Sequence, residues 1–412
     1  MNRQISKSLS FVIFILFLVS MNHWIGWHYR SLFSIIGGLT MVLMLFQQRI
    51  RLNLSKRNLI ASILLYLGYM IGMLNWKGNL LHTAFFTQIF AFGIPMFVMV
   101  CLKKGDKYLL FQRITKWFAW MMLFSIILFI ITKLIQLPSL GTTRWINEEF
   151  ANKGYGVCYN YFFYLKPLYL DGIERFRGPF LEPGHLGMMC AFILFANKHN
   201  YSIKYNQIIL VSLVLSLSLA GWILGTIGYF MTRYYQGKTK PIQLAGYLFF
   251  CATLIGFAKF YNGGDNIVNE KILSRLEADE EKGIVGDNRN SLYTDYLFAE
   301  MWNDPSLLFN GYSSTFIENS GGIFDKVSGT GIVKFIVTHG LIGLIAAFSF
   351  YFYYSMTANN RKIANLAFFY FILMFFQRCY FSWYSWIICY MIIIDCFDCY
   401  KPKQLKYEQS TC

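Results

Sequence analysis

The amino-acid sequence predicts an all-α fold, a polytopic bundle of about twelve transmembrane helices with two large loops outside the membrane. Of its 412 residues, 56% are hydrophobic and only 14% are charged, which is far from the composition of a soluble domain. Many apolar runs approach the roughly 20 residues that a helix needs to cross a bilayer. Aromatic residues make up 19% of the chain, and tyrosine and tryptophan commonly lie at membrane interfaces.

Each predicted span is an apolar run that ends at polar or charged residues. The spans are 9–24, 32–47, 58–74, 81–101, 118–135, 185–197, 207–219, 220–232, 243–260, 329–355, 363–377 and 381–397. The first follows Arg3 and Lys7, as in a signal peptide, but the bulky residues Asn22-His23-Trp24 do not form a cleavage site. We therefore expect an uncleaved first span.

Two long polar segments divide the chain into five regions. We predict N-terminal transmembrane helices over 1–135, a first external loop over 136–184, central transmembrane helices over 185–260, a second external loop over 261–328, and C-terminal transmembrane helices with a tail over 329–412. The two external segments hold 17 of the 21 acidic residues. Basic residues gather in the short loops, such as Arg49–Arg57 and Lys103–Lys116, which the positive-inside rule places in the cytoplasm with both termini. The net charge of +16 therefore reflects topology and does not indicate nucleic-acid binding.

The run over 207–232 tests this topology. If both long loops lie outside, an even number of crossings must separate them. One straight helix of these residues would place Arg233, Lys238 and Lys240 outside, against the positive-inside rule. The sequence therefore favours a broken pair of short helices around Leu219-Ala220-Gly221, which is tolerated where protein or a polar cavity surrounds the break.

Residues 175 to 187 contain several ionisable side chains at a predicted membrane border, where unpaired charge is costly. Arg175 and Arg177 share one side of an extended segment, and each guanidinium offers a planar fork of donors that suits phosphate oxygens. Pro183 is suited to the first position of the next helix, which would bring Glu182 and His185 to its N-terminus, where anions bind well. The simpler interpretation is that Glu182 caps this helix and pairs with an arginine.

Three further residues are candidates. Arg289 and Asn290 lie among small polar residues in the second external segment, although Arg289 has Asp287 and Asp295 as possible ion-pair partners. His339 lies in the outer half of a predicted span, where an ionisable side chain is either functional or a packing residue.

Several kinds of site find no support in the sequence. Cys396 and Cys399 form an isolated Cys-x-x-Cys without the second pair that a zinc site needs. No glycine-rich phosphate loop, zinc-protease motif or nucleophile elbow is present. We therefore expect no metal, no nucleotide and no cofactor.

The combination of about twelve spans, the motif Arg-x-Arg-Gly-Pro-Phe-x-Glu-Pro and a second large loop with an arginine resembles the bacterial O-antigen polymerase (Wzy-type) and O-antigen ligase superfamily. Asp304-Pro305, Gly311-Tyr312 and the run from Thr338 to Gly343 resemble the C-terminal half of that family. The motifs cover 175–187 and 286–343, whereas the architecture covers the whole chain.

The resemblance implies a metal-independent glycosyltransferase of the bacterial inner membrane with two large periplasmic loops. Its substrates would be undecaprenyl-diphosphate-linked oligosaccharides of surface polysaccharide biosynthesis (O-antigen, capsule or exopolysaccharide). A flippase and a chain-length regulator would be its partners.

The resemblance also implies a role for each candidate residue. Arg175, Arg177, Arg289 and Asn290 would bind the diphosphate, and Glu182, His185 or His339 would take the proton of the acceptor hydroxyl. On this basis Arg177→Ala should abolish polymer while the protein stays inserted and abundant.

Two alternatives remain open. An O-antigen ligase would share the fold and the donor. A transporter or flippase of lipid-linked oligosaccharide would need a polar path along many spans, whereas these spans are mostly apolar.

Overall fold

The computed structural model describes residues 4–73, 88–145, 156–168, 174–238, 292–312 and 331–399, together with residue 253 and the short segments 278–279 and 283–284. Over these residues the chain is mostly helical. The helices are α1 (Lys7–Ser20), α2 (Arg30–Gln48), α3 (Lys56–Met73), α4 (Ile94–Cys101, continuing a π-helical turn Ile89–Gly93), α5 (Lys104–Leu134), α6 (Pro183–Ala196), α7 (Lys204–Leu215), α8 (Leu219–Tyr235), α9 (Leu292–Met301), α10 (Pro305–Asn310), α11 (Ile332–Met356), α12 (Arg361–Gln377) and α13 (Tyr384–Cys396). Most predicted spans thus coincide with a helix, and 243–260 falls outside the described residues except at position 253.

The strands are short and lie in the two long polar segments. In the first segment β1 (Thr142–Arg144), β2 (Val157–Asn160) and β3 (Leu165–Pro167) form an antiparallel sheet in that order, with Cys158 opposite both Thr143 and Pro167. In the second, β4 (Ala278–Asp279) pairs with β5 (Gly283–Ile284). Because these sheets are small, helices make up most of the described fold.

Among the described residues, three helices are long and apolar enough to cross a membrane: α2, α5 and α11. On α2, large apolar side chains at helical spacing share one face and stay exposed, with Leu43 at 68% and Phe46 at 80%. The rest of that face is Leu32, Ile36 and Leu39. An exposed apolar stripe of this kind is unfavourable in water and favourable against lipid, so the chain is a membrane protein.

The predicted break in the 207–232 run is confirmed, a few residues before the predicted place. α7 ends at Leu215, and a turn through Leu217 (φ 45°) reverses the chain into α8. The Ser218 hydroxyl then caps α8 by accepting from the Gly221 N–H at 3.2 Å. A Cβ on Gly187 of α6 would lie 2.7 Å from Ser218 Cβ, so glycine there lets α6 pack directly against this turn.

The helix ends gather into two groups, at opposite ends of the bundle. One group, here called the Glu182 end, contains the start of α6, the α7–α8 turn and the α12–α13 connection, because Arg175 donates to the Ser216 carbonyl and Arg378 contacts Glu182. The other, the Asp395 end, contains the starts of α3 and α5 and the end of α13, because Arg57 and Lys107 both contact Asp395. α13 is buried along almost its whole length between them.

Candidate functional site

The N-terminus of α6 is built as the sequence predicts, but its carboxylate has a different partner. Glu182 occupies the N-cap position and Pro183 the first turn, yet the Glu182 side chain makes no capping hydrogen bond. Its Oε2 accepts instead from the Arg378 guanidinium, which belongs to the connection between α12 and α13. The capping interpretation of Glu182 is therefore wrong, whereas its pairing with an arginine is confirmed, with an arginine 196 positions away.

His185 completes this contact from the first turn of α6. Its Nε2 lies 2.9 Å from Arg378 Nη1 and 3.0 Å from the Tyr380 hydroxyl, and Arg378 Nη1 also lies 2.9 Å from that hydroxyl. A guanidinium only donates, so Nε2 must accept, and the imidazole is neutral with its proton assigned to Nδ1. Nδ1 is buried and has no hydrogen-bond partner among the described residues.

Aromatic rings hold the charged groups in place. The Tyr380 and Trp383 rings stack 3.9 Å apart, and the His185 ring meets both edge-on at 5.3 and 5.2 Å. Gly184 permits the approach of Arg378, because a Cβ there would lie 3.1 Å from Nη2. Glu182, His185, Arg378, Tyr380 and Trp383 together are called the Glu182 cluster below.

Two more arginines add positive charge to this cluster. Arg175 donates from Nε to the Ser216 carbonyl at 3.2 Å and is close enough to Glu182 to stabilise its charge. Arg30, exposed at the start of α2, is close enough to interact electrostatically with His185 and Tyr380. Two guanidinium groups thus act on one carboxylate at a helix N-terminus, and a third lies near His185 and Tyr380. Such a concentration of positive charge at a helix N-terminus attracts anions.

The ionisation of Glu182 follows from these neighbours. Burial alone would raise the pKa of its carboxyl, but the charges of Arg378 and Arg175 and the hydrogen bond from Arg378 more than offset it, so the pKa is lowered. Burial raises the pKa of the Tyr380 hydroxyl, which Arg378 only partly opposes. At neutral pH the cluster contains a carboxylate and a neutral phenol.

Arg177 is placed elsewhere. It is 1% exposed, and it donates from Nε to the Leu165 carbonyl at 3.0 Å and from Nη1 to the Leu181 carbonyl at 2.9 Å. Its Nη2 lies 3.0 Å from Cys158 Sγ. This side chain joins the β2–β3 hairpin to the segment before α6, so its donors face protein and it does not share the position of Arg175.

His339 lies at a kink, since the next residue, Gly340, leaves helical geometry at φ 64°. Its ring contacts Phe335 at 4.8 Å, and Phe335 packs against Phe381 at 5.8 Å, beside the Arg378 loop. The structure thus places His339 behind an aromatic layer at the same end of the bundle. Arg289 and Asn290 lie outside the described residues.

Arg378, Arg30, Tyr380 and Trp383 are not among the residues predicted from the sequence. A signal was present: Arg30 and Arg378 are among the few basic residues in short loops that the charge pattern places outside. No group of three or more His, Cys, Asp or Glu side chains in the described ranges could hold a metal ion.

Comparison with known proteins gives no relative. No protein-family model matches the chain, no curated protein matches it, and no solved structure resembles it significantly. The case for a function therefore depends on the site itself.

Proposed function

We propose that this protein is a glycosyltransferase of the bacterial inner membrane that polymerises undecaprenyl-diphosphate-linked oligosaccharide repeat units. It transfers the growing glycan from its lipid diphosphate to the next lipid-linked repeat at the periplasmic face, within a bundle of about twelve spans. The observation that carries the proposal is the Glu182 cluster, where arginine donors and a helix N-terminus converge at the end of a membrane bundle.

The distribution of charge supports this orientation. Basic residues concentrate at the Asp395 end, where Lys56, Arg57, Lys103, Lys104 and Lys107 lie at or beside helix starts. The positive-inside rule assigns that end to the cytoplasm and the Glu182 cluster to the outside. Lipid-linked repeats present their diphosphate there, at the level of the helix ends.

Arg378 is the principal phosphate ligand in this proposal. Its Nη1 contacts His185 and Tyr380 and its Nη2 contacts Glu182, which leaves Nε–H and one N–H of Nη2 without a partner among the described residues. A phosphate oxygen can accept from both, and Arg175 and Arg30 supply further positive charge. As the glycosidic C–O bond to the phosphate breaks, these groups stabilise the negative charge on the departing diphosphate.

Glu182 is the proposed general base. Its Oε1 has no hydrogen-bond partner within the described ranges, so it is the oxygen open to an acceptor hydroxyl. While Arg378 pairs with Oε2 the carboxylate is a weak base. Phosphate binding competes for Arg378, which raises the basicity of Glu182 when both substrates are present. His185 suits this role less because its Nε2 already accepts from Arg378.

The experiment is a complementation test with matched variants. A strain lacking this gene is expected to make single-repeat products, and the wild-type gene should restore long polymer. Long polymer stranded on the carrier lipid would instead indicate a ligase, and repeats confined to the cytoplasmic leaflet would indicate a flippase. Arg378→Gln should fail to restore polymer at equal protein amounts, with Arg361→Gln on the exposed start of α12 as the control.

A further inference from the structure

A second polar cluster lies beside the first and contains two buried groups that no described residue satisfies. Glu174 Oε1 and the Tyr164 hydroxyl are both buried and have no hydrogen-bond partner in the part of the chain that the structure describes. The Glu174 side chain is 2% exposed and Tyr164 is 0% exposed. Folded proteins rarely leave such atoms unpaired, so each needs an explanation.

The last turns of α5 bring these groups together. Lys133 Nζ lies 2.5 Å from Glu174 Oε2 and 5.6 Å from the centre of the Phe129 ring, and that ring lies 5.6 Å from the Tyr164 ring. The half-exposed Tyr161 ring stacks against Tyr164 at 6.1 Å. Glu174, Tyr164, Lys133 and Tyr161 are called the Glu174 cluster below.

The chemistry of the cluster selects its ligand. A free carboxylate oxygen accepts from hydroxyl groups and repels anions, while the adjacent Lys133 ammonium repels cations. The Tyr164 hydroxyl can both donate and accept. A neutral molecule that carries several hydroxyl groups meets all these requirements, and the Tyr161 ring offers an aromatic face for its C–H groups.

We propose that the Glu174 cluster binds a neutral sugar ring of the lipid-linked oligosaccharide. Glu174 Oε1 accepts from a sugar hydroxyl, the Tyr164 hydroxyl bonds a second one, and Lys133 donates to a sugar oxygen. The side chain of Lys133, 45% exposed, covers Glu174 and turns aside to admit the ring.

The position of the Glu174 cluster supports this role. The identity of the sugar as part of a lipid-linked glycan rests on the proposed function. Glu174 directly precedes Arg175, whose charge acts on Glu182 in the first cluster. A glycan held at Glu174 is therefore adjacent to the phosphate ligands. The Glu174 cluster adds recognition of a sugar ring to a site proposed to hold the diphosphate and one acceptor hydroxyl.

The test uses the full-length protein in detergent and a defined probe. The probe is the oligosaccharide released by mild acid from lipid-linked repeats that accumulate in the deletion strain, and its Kd is measured by equilibrium dialysis. Tyr164→Phe should raise the Kd about tenfold, as expected for one lost hydrogen bond in a site. Glu174→Gln should raise it at least tenfold. Tyr66→Phe removes another buried hydroxyl, on α3, that has no partner among the described residues, and it should leave the Kd unchanged.

Tyr164→Phe decides the result even if Glu174→Gln fails to accumulate. Its Tm should not fall, because the hydroxyl it loses bonds no described protein group. Wild-type affinity in Tyr164→Phe, or no binding of the probe by the wild type, would overturn the sugar site. If the probe binds as expected but Arg378→Gln still makes normal polymer, the proposed function fails and the sugar site stands.

Discussion

Each end of the bundle contains a carboxylate that pairs with an arginine, but at only one end do described residues bind both carboxylate oxygens. At the Asp395 end, Arg57 Nη1 lies 3.0 Å from Oδ1 and Lys107 Nζ lies 2.8 Å from Oδ2, and the Tyr354 hydroxyl also donates to Oδ2. At the Glu182 end, Arg378 contacts Oε2, and Oε1 has no partner among the described residues. Described residues thus bind both oxygens of Asp395 but only one oxygen of Glu182.

The cations differ in the same way. Arg57 also donates to Thr357 Oγ1 at 3.0 Å and to the Tyr354 carbonyl at 3.2 Å, so its network joins α3, α11 and α13. Arg378 keeps two N–H groups without a described partner. A closed network stabilises a fold, whereas an open one costs stability and is retained where a ligand completes it.

Substitution of Arg378 should have the largest effect. Arg378→Gln removes the phosphate fork and the partner of Glu182, and we expect chain extension to fall roughly 100- to 1,000-fold. Arg378→Lys should rescue poorly, because an ammonium lacks the planar fork. The measurement is polymer length and yield in the complemented deletion strain at matched protein amounts. Polymer of wild-type length and yield from Arg378→Gln would contradict the proposed difference between the two ends of the bundle.

A matched pair of isosteric substitutions separates the two ends. Glu182→Gln should abolish most activity while the protein accumulates normally, because it removes a general base that is partly exposed. Asp395→Asn should lower the free energy of unfolding by about 3 kcal/mol, because it leaves two cations underpaired. Unfolding in denaturant and activity per molecule are measured for both variants. The opposite assignment, with Asp395 catalytic and Glu182 structural, would contradict the account.

Arg177 should behave like the residues of the closed network around Asp395, although it lies at the Glu182 end. Arg177→Lys cannot keep three separate acceptors, so we expect a loss of about 1–3 kcal/mol of stability with activity per folded molecule retained. This reverses the expectation from sequence that Arg177→Ala would leave the protein abundant. Quantitative immunoblots alongside activity decide between them: an abundant, inactive variant would return Arg177 to the binding site.

Acid should produce a smaller effect, in which the buried histidines and the Glu182 ion pair respond over different ranges of pH. Burial lowers the pKa of His23, at the Glu182 end, and of His199, at the Asp395 end, to about 3. The unfolded imidazoles bind protons below about pH 6.5, so both lower stability progressively as the pH falls from there towards 3. Because the pKa of folded Glu182 is lowered, the stability that its ion pair contributes is retained near neutrality and decreases only below about pH 4.

Unfolding measured against pH checks this. His23→Gln and His199→Gln should each flatten the curve between about pH 6.5 and 4, whereas Glu182→Gln should change it only below about pH 4. A Glu182→Gln curve that differs from wild type mainly near neutrality would contradict the lowered pKa of this carboxyl.

Local features of the site were predictable from sequence and distant ones were not. Glu182 and His185 share a helix start because they are neighbours around Pro183. The helix break before Gly221 follows from the even number of membrane crossings that the basic residues require. Arg378 reaches Glu182 only because α12 and α13 return to α6, which no local pattern specifies. Whether a guanidinium is enclosed by protein or stays partly exposed is decided by packing, as the contrast between the buried Arg177 and the half-buried Arg175 demonstrates.

The central claim is that the Arg378 guanidinium holds the diphosphate of a lipid-linked substrate. Binding of undecaprenyl diphosphate to the purified protein in nanodiscs tests it directly, with Arg57→Gln as the control from the closed network. The account predicts that Arg378→Gln raises the Kd by at least tenfold while Arg57→Gln, where it folds, binds as the wild type does. Equal affinity of Arg378→Gln and the wild type for this lipid would contradict it.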